Sequence, residues 1–362
     1  MKYVRMLYYI IANSLVLLVF VLVVTHCLIL IRDLVRASPD EYRYLSDVVK
    51  NNYRHVKPVD VDALLKAHAS YSMKYAPRVG YREAPFKSRF LNIDEYGIRS
   101  NGKSIAGIEK INNAIWFFGG STTWGGGVAD EETIPAQLEK AIGRRVVNFG
   151  VNAFYSEQEN LELVEYLRLG YRPSIAVFLD GINESCEMLL YQDQMELIFA
   201  KAQEGYRWDP AEIAKPVVHA FGRLSSKLEK LQEAATDSPA SKLTCERYGK
   251  RQALSALHAD IMKERDSLCR LYALQCITFV QPFAGVHGRH EDRNSLGDQD
   301  RQQLAAKFEH LEPNWRNARA IFVTDALDRL EKHAYIDDIH YSVEANGLIA
   351  RAIATHLATS RR

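Results

Sequence analysis

The stretch Ala114-Ile115-Trp116-Phe117-Phe118-Gly119-Gly120-Ser121-Thr122-Thr123 is an apolar run closed by two glycines and a hydroxyl-bearing turn. A short run with no polar alternation suits a strand buried on both faces. Val146–Phe149, Ile175–Leu179 and Cys276–Val280 read the same way. Helical patterns lie between them. Ser156 with Glu159 gives a capping-box signature for a helix through Leu167. Thr133 and Pro135 mark the start of a helix through Ile142. Strands alternating with helices predict a parallel sheet covered on both faces.

Outside this core the pattern changes. From Leu7 to Ile31 there is no charged residue. Roughly 20 apolar residues cross a hydrocarbon core, so this segment reads as one transmembrane helix. A cleaved signal is the alternative, but no A-x-A pattern follows the run. Lys2 and Arg5 before the span nearly balance Arg32 and Arg36 after it. The short tail and large following domain favour a cytoplasmic tail, with the domain outside the cytoplasm. Residues 1–36 are thus expected to be tail and anchor. Residues 37–110, with Pro39, Pro58, Pro77 and Pro85, are expected to be a stalk and an irregular packing segment, with a short helix at Val59–Ala69. Residues 111–362 are the main domain. Alternation stops at about 185–274, where Leu254, Leu257, Ile261, Leu268 and Leu271 form a stripe, so a helical insertion is expected. Asn314–Lys332 reads as mostly helical, and Ser342 caps a closing helix.

The chain has 362 residues, with 46 Lys and Arg against 45 Asp and Glu, and no basic stripe for nucleic acid. Cys27 lies in the apolar span. Cys186, Cys245, Cys269 and Cys276 are compatible with two disulfides or with buried free thiols. The loop His287-Gly288-Arg289-His290-Glu291-Asp292 carries metal-ligand types, but no other ligand cluster accompanies it, and it reads as a solvated loop.

The strand ends carry the chemistry-bearing residues, as open α/β sheets lead one to expect. A serine hydroxyl needs a base, a carboxylate to orient that base, and donors for the developing oxyanion. Ser121 follows the first strand. A phosphate loop is disfavoured because no Lys precedes the Ser/Thr. Gly150 ends the second strand and could offer an N–H. Asn183 follows the third and could offer a side-chain amide. Asp337-Asp338-Ile339-His340 precedes the last helix, and its carboxylate and imidazole converge if the turn is tight. Asp338 competes with Asp337 as the orienting acid.

In this order the motifs resemble the SGNH (GDSL-like) hydrolase superfamily, over roughly Ala114–Leu357 without the insertion. The resemblance implies a flavodoxin-like three-layer α/β/α fold. It implies Ser121 as nucleophile and first oxyanion donor, Gly150 as second donor, Asn183 as third, His340 as base and Asp337 as orienting acid. Two positions depart from the family pattern: Gly120 replaces the Asp of Gly-Asp-Ser, and Glu184 replaces the Asp of Gly-x-Asn-Asp. The implied chemistry is acyl transfer that needs no metal or nucleotide cofactor. The expected activity is an esterase on acylated glycans or lipids of the cell envelope. An O-acyltransferase of an envelope polysaccharide and an inert scaffold for glycan binding are the alternatives.

Overall fold

The computed structural model describes residues 53, 58–102, 111–184, 251–287, 298–330, 334–337 and 339–359. The span read at Leu7–Ile31, Cys27, Cys186, Cys245 and residues 185–250 lie outside them. Among the described residues no helix is long and apolar enough to cross a membrane.

The 58–102 segment supplies α1 (Pro58–Ser70), β1 (Met73–Ala76), β2 (Gly80–Glu83), β3 (Phe86–Lys87) and β4 (Asn92–Ile93). Two antiparallel pairs, β1–β2 and β3–β4, replace the irregular structure expected here. Tyr81 and Leu91 are wholly buried, so this part packs as firmly as a core.

The main sheet comprises β5 (Ile115–Gly119), β6 (Val146–Gly150), β7 (Ile175–Asp180), β8 (Cys276–Val280) and β9 (Ile321–Phe322). Its order is β6-β5-β7-β8-β9, and every pairing is parallel. This is the doubly wound order of flavodoxin-like folds. The helices are α2 (Ser121–Trp124), α3 (Ile134–Ile142), α4 (Ser156–Arg168), α5 (Arg251–Leu271), α6 (Asp298–Asn317) and α7 (Val343–Thr359).

Alternation along each strand sorts the core into two layers. Ile115, Phe117, Val177 and Leu179 pack with Ile134, Leu138, Ile349 and Ile353 of α3 and α7. Trp116, Phe118, Phe149 and Phe178 pack with Leu163, Tyr166 and Leu167 of α4. Burying one such large apolar side chain contributes about 1.5–3 kcal/mol. The flavodoxin-like three-layer arrangement is therefore the observed one.

Several local expectations change. Thr133 does cap α3, its Oγ1 accepting from Ala136 N–H at 3.2 Å. Ser342 likewise caps α7, accepting from Ala345 N–H at 3.2 Å. Ser156 does not cap α4. Tyr155 holds the N-cap position, and the Ser156 hydroxyl instead donates to Glu184 Oε1 at 2.7 Å. The stretch Asn314–Lys332 is not one helix. Arg319 takes a left-handed conformation (φ 58°), and Ile321–Phe322 then adds the edge strand to β8. The helical stripe at 254–271 is α5, the crossover helix between β7 and β8, which packs on α4. A Cys269–Cys276 disulfide joins the end of α5 to the start of β8.

From α5, Arg265 reaches the carboxyl end of β7. It donates to both Asp180 oxygens (2.9 and 2.8 Å), Glu159 Oε2 (3.1 Å) and Asn160 Oδ1 (2.9 Å). Its guanidinium carbon lies 3.9 Å from the centroid of the Phe178 ring. Burial pushes the Glu159 and Asp180 carboxyls up, neighbouring carboxylates add to the shift, and the Arg265 charge is the largest influence opposing it. Removing the cation would leave two carboxyls buried without it. Arg265→Leu is therefore expected to lower stability by about 3–5 kcal/mol, measured by urea denaturation. A loss below about 1 kcal/mol would contradict this account.

Candidate active site

In a 2-1-3-4-5 sheet the strand order reverses between the first and third strands, and a crevice opens at their carboxyl ends. Here those strands are β5 and β7. Ser121 begins α2 directly after β5, and Asn183 lies in the turn after β7. The fold thus brings two of the sequence-predicted residues to one crevice.

Ser121 is half-buried at the first position of α2. N–H groups in the first turn of a helix have no intrahelical partner, so the Ser121 N–H is open to a ligand. The following loop is tightly fastened. Arg99, almost wholly buried, donates to Trp124 O (2.8 Å), Gly125 O (2.6 Å) and Val128 O (2.6 Å) and pairs with Asp130 (3.0 Å). His68 donates Nε2–H to Val128 O at 3.0 Å, and Tyr53 donates its hydroxyl to Gly127 O. Burial, reinforced by the Arg99 charge, pushes His68 down to about 3, so the ring is neutral.

Asp337 and His340 do converge. Asp337 Oδ1 accepts from the N–H groups of Ile339 (2.8 Å) and His340 (2.6 Å). His340 Nδ1 donates to Asp337 Oδ2 at 2.7 Å. Burial alone would raise the Asp337 carboxyl. The hydrogen bond and charge of His340 and the two backbone donors outweigh it, holding the carboxyl below its ordinary value. With Asp337 ionised, Nδ1 carries the proton and Nε2 presents its lone pair. Nε2 is buried and has no hydrogen-bond partner among the described residues. Asp338 lies outside them.

The imidazole sits against the turn that follows Ser121. A Cβ on Gly126 would lie 2.6 Å from His340 Cδ2 and 2.7 Å from Nε2. Gly126 N–H in turn donates to Ser121 O at 2.9 Å. Only a residue without a side chain lets the ring approach this closely.

The groups expected as oxyanion donors are arranged differently from the expectation. Gly150 N–H donates to Asn148 Oδ1 at 3.0 Å, and a Cβ there would overlap Trp124 N. Gly150 is therefore a packing glycine at the end of β6, with its N–H already bonded, and the donor role read for it is corrected. The chain reaches the crevice one turn later. Ala153 is left-handed (φ 63°), and Phe154 O accepts from Asn183 Nδ2 at 2.7 Å. Buried Glu83 holds this turn, accepting from Asn152 N–H (2.9 Å) and Asn152 Nδ2 (2.8 Å). Burial pushes its carboxyl up to about 7, although the Asn152 donors oppose the shift. An amide NH2 has two donors, and the bond to Phe154 O uses one of those on Asn183.

The two departures from the family pattern also have structural reasons. A Cβ on Gly120 would overlap Asn183 Nδ2, so Gly120 makes the room that the Asn183 amide occupies. Glu184 is buried and accepts from Ser156 Oγ through Oε1 and from Gly181 N–H (3.0 Å) through Oε2. It ties the β7 turn to the start of α4. Sequence reading missed Arg99, Glu83 and Arg265. Each is an ionisable side chain that lies far along the chain from its partners. His287 Nδ1 accepts from Phe283 N–H at 3.0 Å, while residues 288–292 of the suspected metal loop lie outside the described residues.

A doubly wound sheet with a serine turn and an Asp–His pair at its switch point defines an α/β acyl hydrolase. The GDSL-like lipase/acylhydrolase family model matches residues 115–353. The chain belongs to that family, and so to the SGNH hydrolase superfamily. No curated protein matches it. Among solved structures it is similar to a carbohydrate acetylesterase family member from Sinorhizobium meliloti (13% identity, TM-score 0.38, 68% of this chain and 98% of that one). It is also similar to the native aryl esterase of M. smegmatis (14%, 0.37, 68% and 99%). A third is Est24, a carbohydrate acetylesterase from Sinorhizobium meliloti (16%, 0.33, 68% and 99%). The family match, and not these distant likenesses, places the chain.

Gly120→Ala is expected to displace the Asn183 amide and lower the rate of ester hydrolysis about 100- to 1000-fold, the usual cost of one oxyanion donor. Asn183→Ala should match it, and the double variant should be no slower than either. Hydrolysis by folded Gly120→Ala at the wild-type rate would refute the assignment.

Proposed function

We propose that the chain is a serine esterase in which Ser121 is the nucleophile, His340 the general base and Asp337 its orienting acid. The observation that carries this is the 2.7 Å Asp337–His340 hydrogen bond, with an unpartnered Nε2 against the turn of Ser121. As Ser121 Oγ attacks an ester carbonyl, its proton passes to His340 Nε2. The oxyanion is met by the Ser121 N–H and the Asn183 Nδ2–H not bonded to Phe154. Collapse expels the alkoxide, which takes the proton from His340. Water, activated by the same imidazole, then releases the acyl group and restores Ser121.

The substrates are acylated glycans or lipids of the cell envelope, met on the outer side of a membrane to which residues 7–31 anchor the chain. The Cys269–Cys276 disulfide supports an oxidising compartment. A reporter fused to the C-terminus should be active outside the cytoplasm. Activity confined to the cytoplasm would refute that orientation.

The detergent-solubilised full chain is expected to take a fluorophosphonate label that Ser121→Ala abolishes. Asp337→Asn should lower kcat on a chromogenic acetate by roughly 10⁴-fold, because the imidazole loses its useful tautomer. Labelling unchanged in Ser121→Ala would refute the proposal. Acetate released to water, rather than transferred to an added sugar, is the product expected.

A further inference from the structure

Ser121 and His340 stand on elements more than two hundred positions apart in sequence, yet both must be held to a fraction of an ångström for proton transfer. Neither hydroxyl residue next to them faces solvent. Thr122 follows the nucleophile and Tyr341 follows the imidazole, and both are buried. Thr122 Oγ1 donates to Gln281 Oε1 at 2.6 Å. The Tyr341 hydroxyl is shared between that oxygen, at 3.3 Å, and the carbonyl of Pro282. Gln281 directly follows β8, its N–H donates to Asp180 O at 3.1 Å, and it is 2% exposed. A Cβ on Gly181 would lie 2.9 Å from Gln281 Cγ and 3.2 Å from its Nε2, so the side chain and its amide lie close against the turn that leads to Asn183.

One buried amide thus touches the nucleophile turn, the histidine loop and the asparagine turn. We infer that Gln281 is a positioning residue that holds Ser121 in register with His340. This rests on the reading of Ser121 and His340 as nucleophile and base. Gln281 acts through Thr122 on the rotation of the α2 turn, and through Tyr341 and Pro282 on the height of the imidazole. A buried acceptor with two donors is costly to leave half-bonded, so the three segments keep one relative placement.

The test uses the full chain in detergent, with fluorophosphonate labelling rate and kcat and KM on a chromogenic acetate. Gln281→Leu removes the acceptor with little change of volume, and Thr122→Val removes only the hydroxyl. Each is expected to slow labelling and lower kcat about 10- to 100-fold while KM changes little, because misplacement by about 1 Å costs that much. The double variant should be no slower than Gln281→Leu, since both act on one contact. Wild-type labelling rates in folded Gln281→Leu or in Thr122→Val overturn the inference, as do losses that multiply in the double variant. If Gln281→Leu does not fold, Thr122→Val decides alone. A wild-type chain that takes no label overturns the Ser121 reading itself, and this inference with it. Labelling of wild type but not of Ser121→Ala, with Gln281→Leu unaffected, removes only the role of Gln281.

Discussion

Phe117 and Phe118 are adjacent in β5, wholly buried, and packed into opposite layers of the molecule. That is possible only for a central strand flanked on both sides and covered on both faces. Parallel pairing of β5 with β6 and β7 then puts three carboxyl ends side by side. The turns leaving β5 and β7 face each other because the strand order reverses there. The placement of Ser121 and Asn183 follows from this constraint, and the segment that carries Asp337 and His340 sets the imidazole against the turn after Ser121.

Apolar burial places the strands but does not fix the turns at their ends. Buried polar side chains do that here. Arg99 gathers three carbonyls of the 124–128 loop, Glu83 fixes the Asn152 turn, Glu184 ties the β7 turn to α4, and Arg265 anchors Asp180. Each such group is expensive to bury, and its hydrogen bonds and charge partners offset that cost. What they give is one arrangement of the loops, because any other would leave charges or amides unpaired in the interior. The site therefore depends on residues 58–102, which precede the family-matched region and supply Arg99, Glu83 and His68.

Four of the five strands could be read from the sequence because each is a short, mostly apolar run without polar alternation, interrupted only by Asn148 in β6 and Thr278 in β8. β9 could not be, since Ile321–Phe322 is too short to show a period and follows a helix of ordinary amphipathicity. The α4 capping box was misread because a serine and a glutamate at cap spacing look the same whether they bond locally or across the fold. Gly150 was misread for a related reason. A strand-ending glycine advertises a free N–H in sequence, and only the fold shows that Asn148 takes it.

By itself, then, the sequence determined the strand runs and their helical alternation, and it singled out Ser121, Asn183, Asp337 and His340 as candidates, because these are local patterns or short spacings. It also marked Gly120 as unusual without giving a reason. Only the tertiary structure decided that Gly120 makes room for Asn183, that Gly150 packs on Trp124, and that Arg265 and Gln281 hold the strand ends together. Those are contacts between residues far apart in the chain, and no local periodicity records which buried polar group will find which partner.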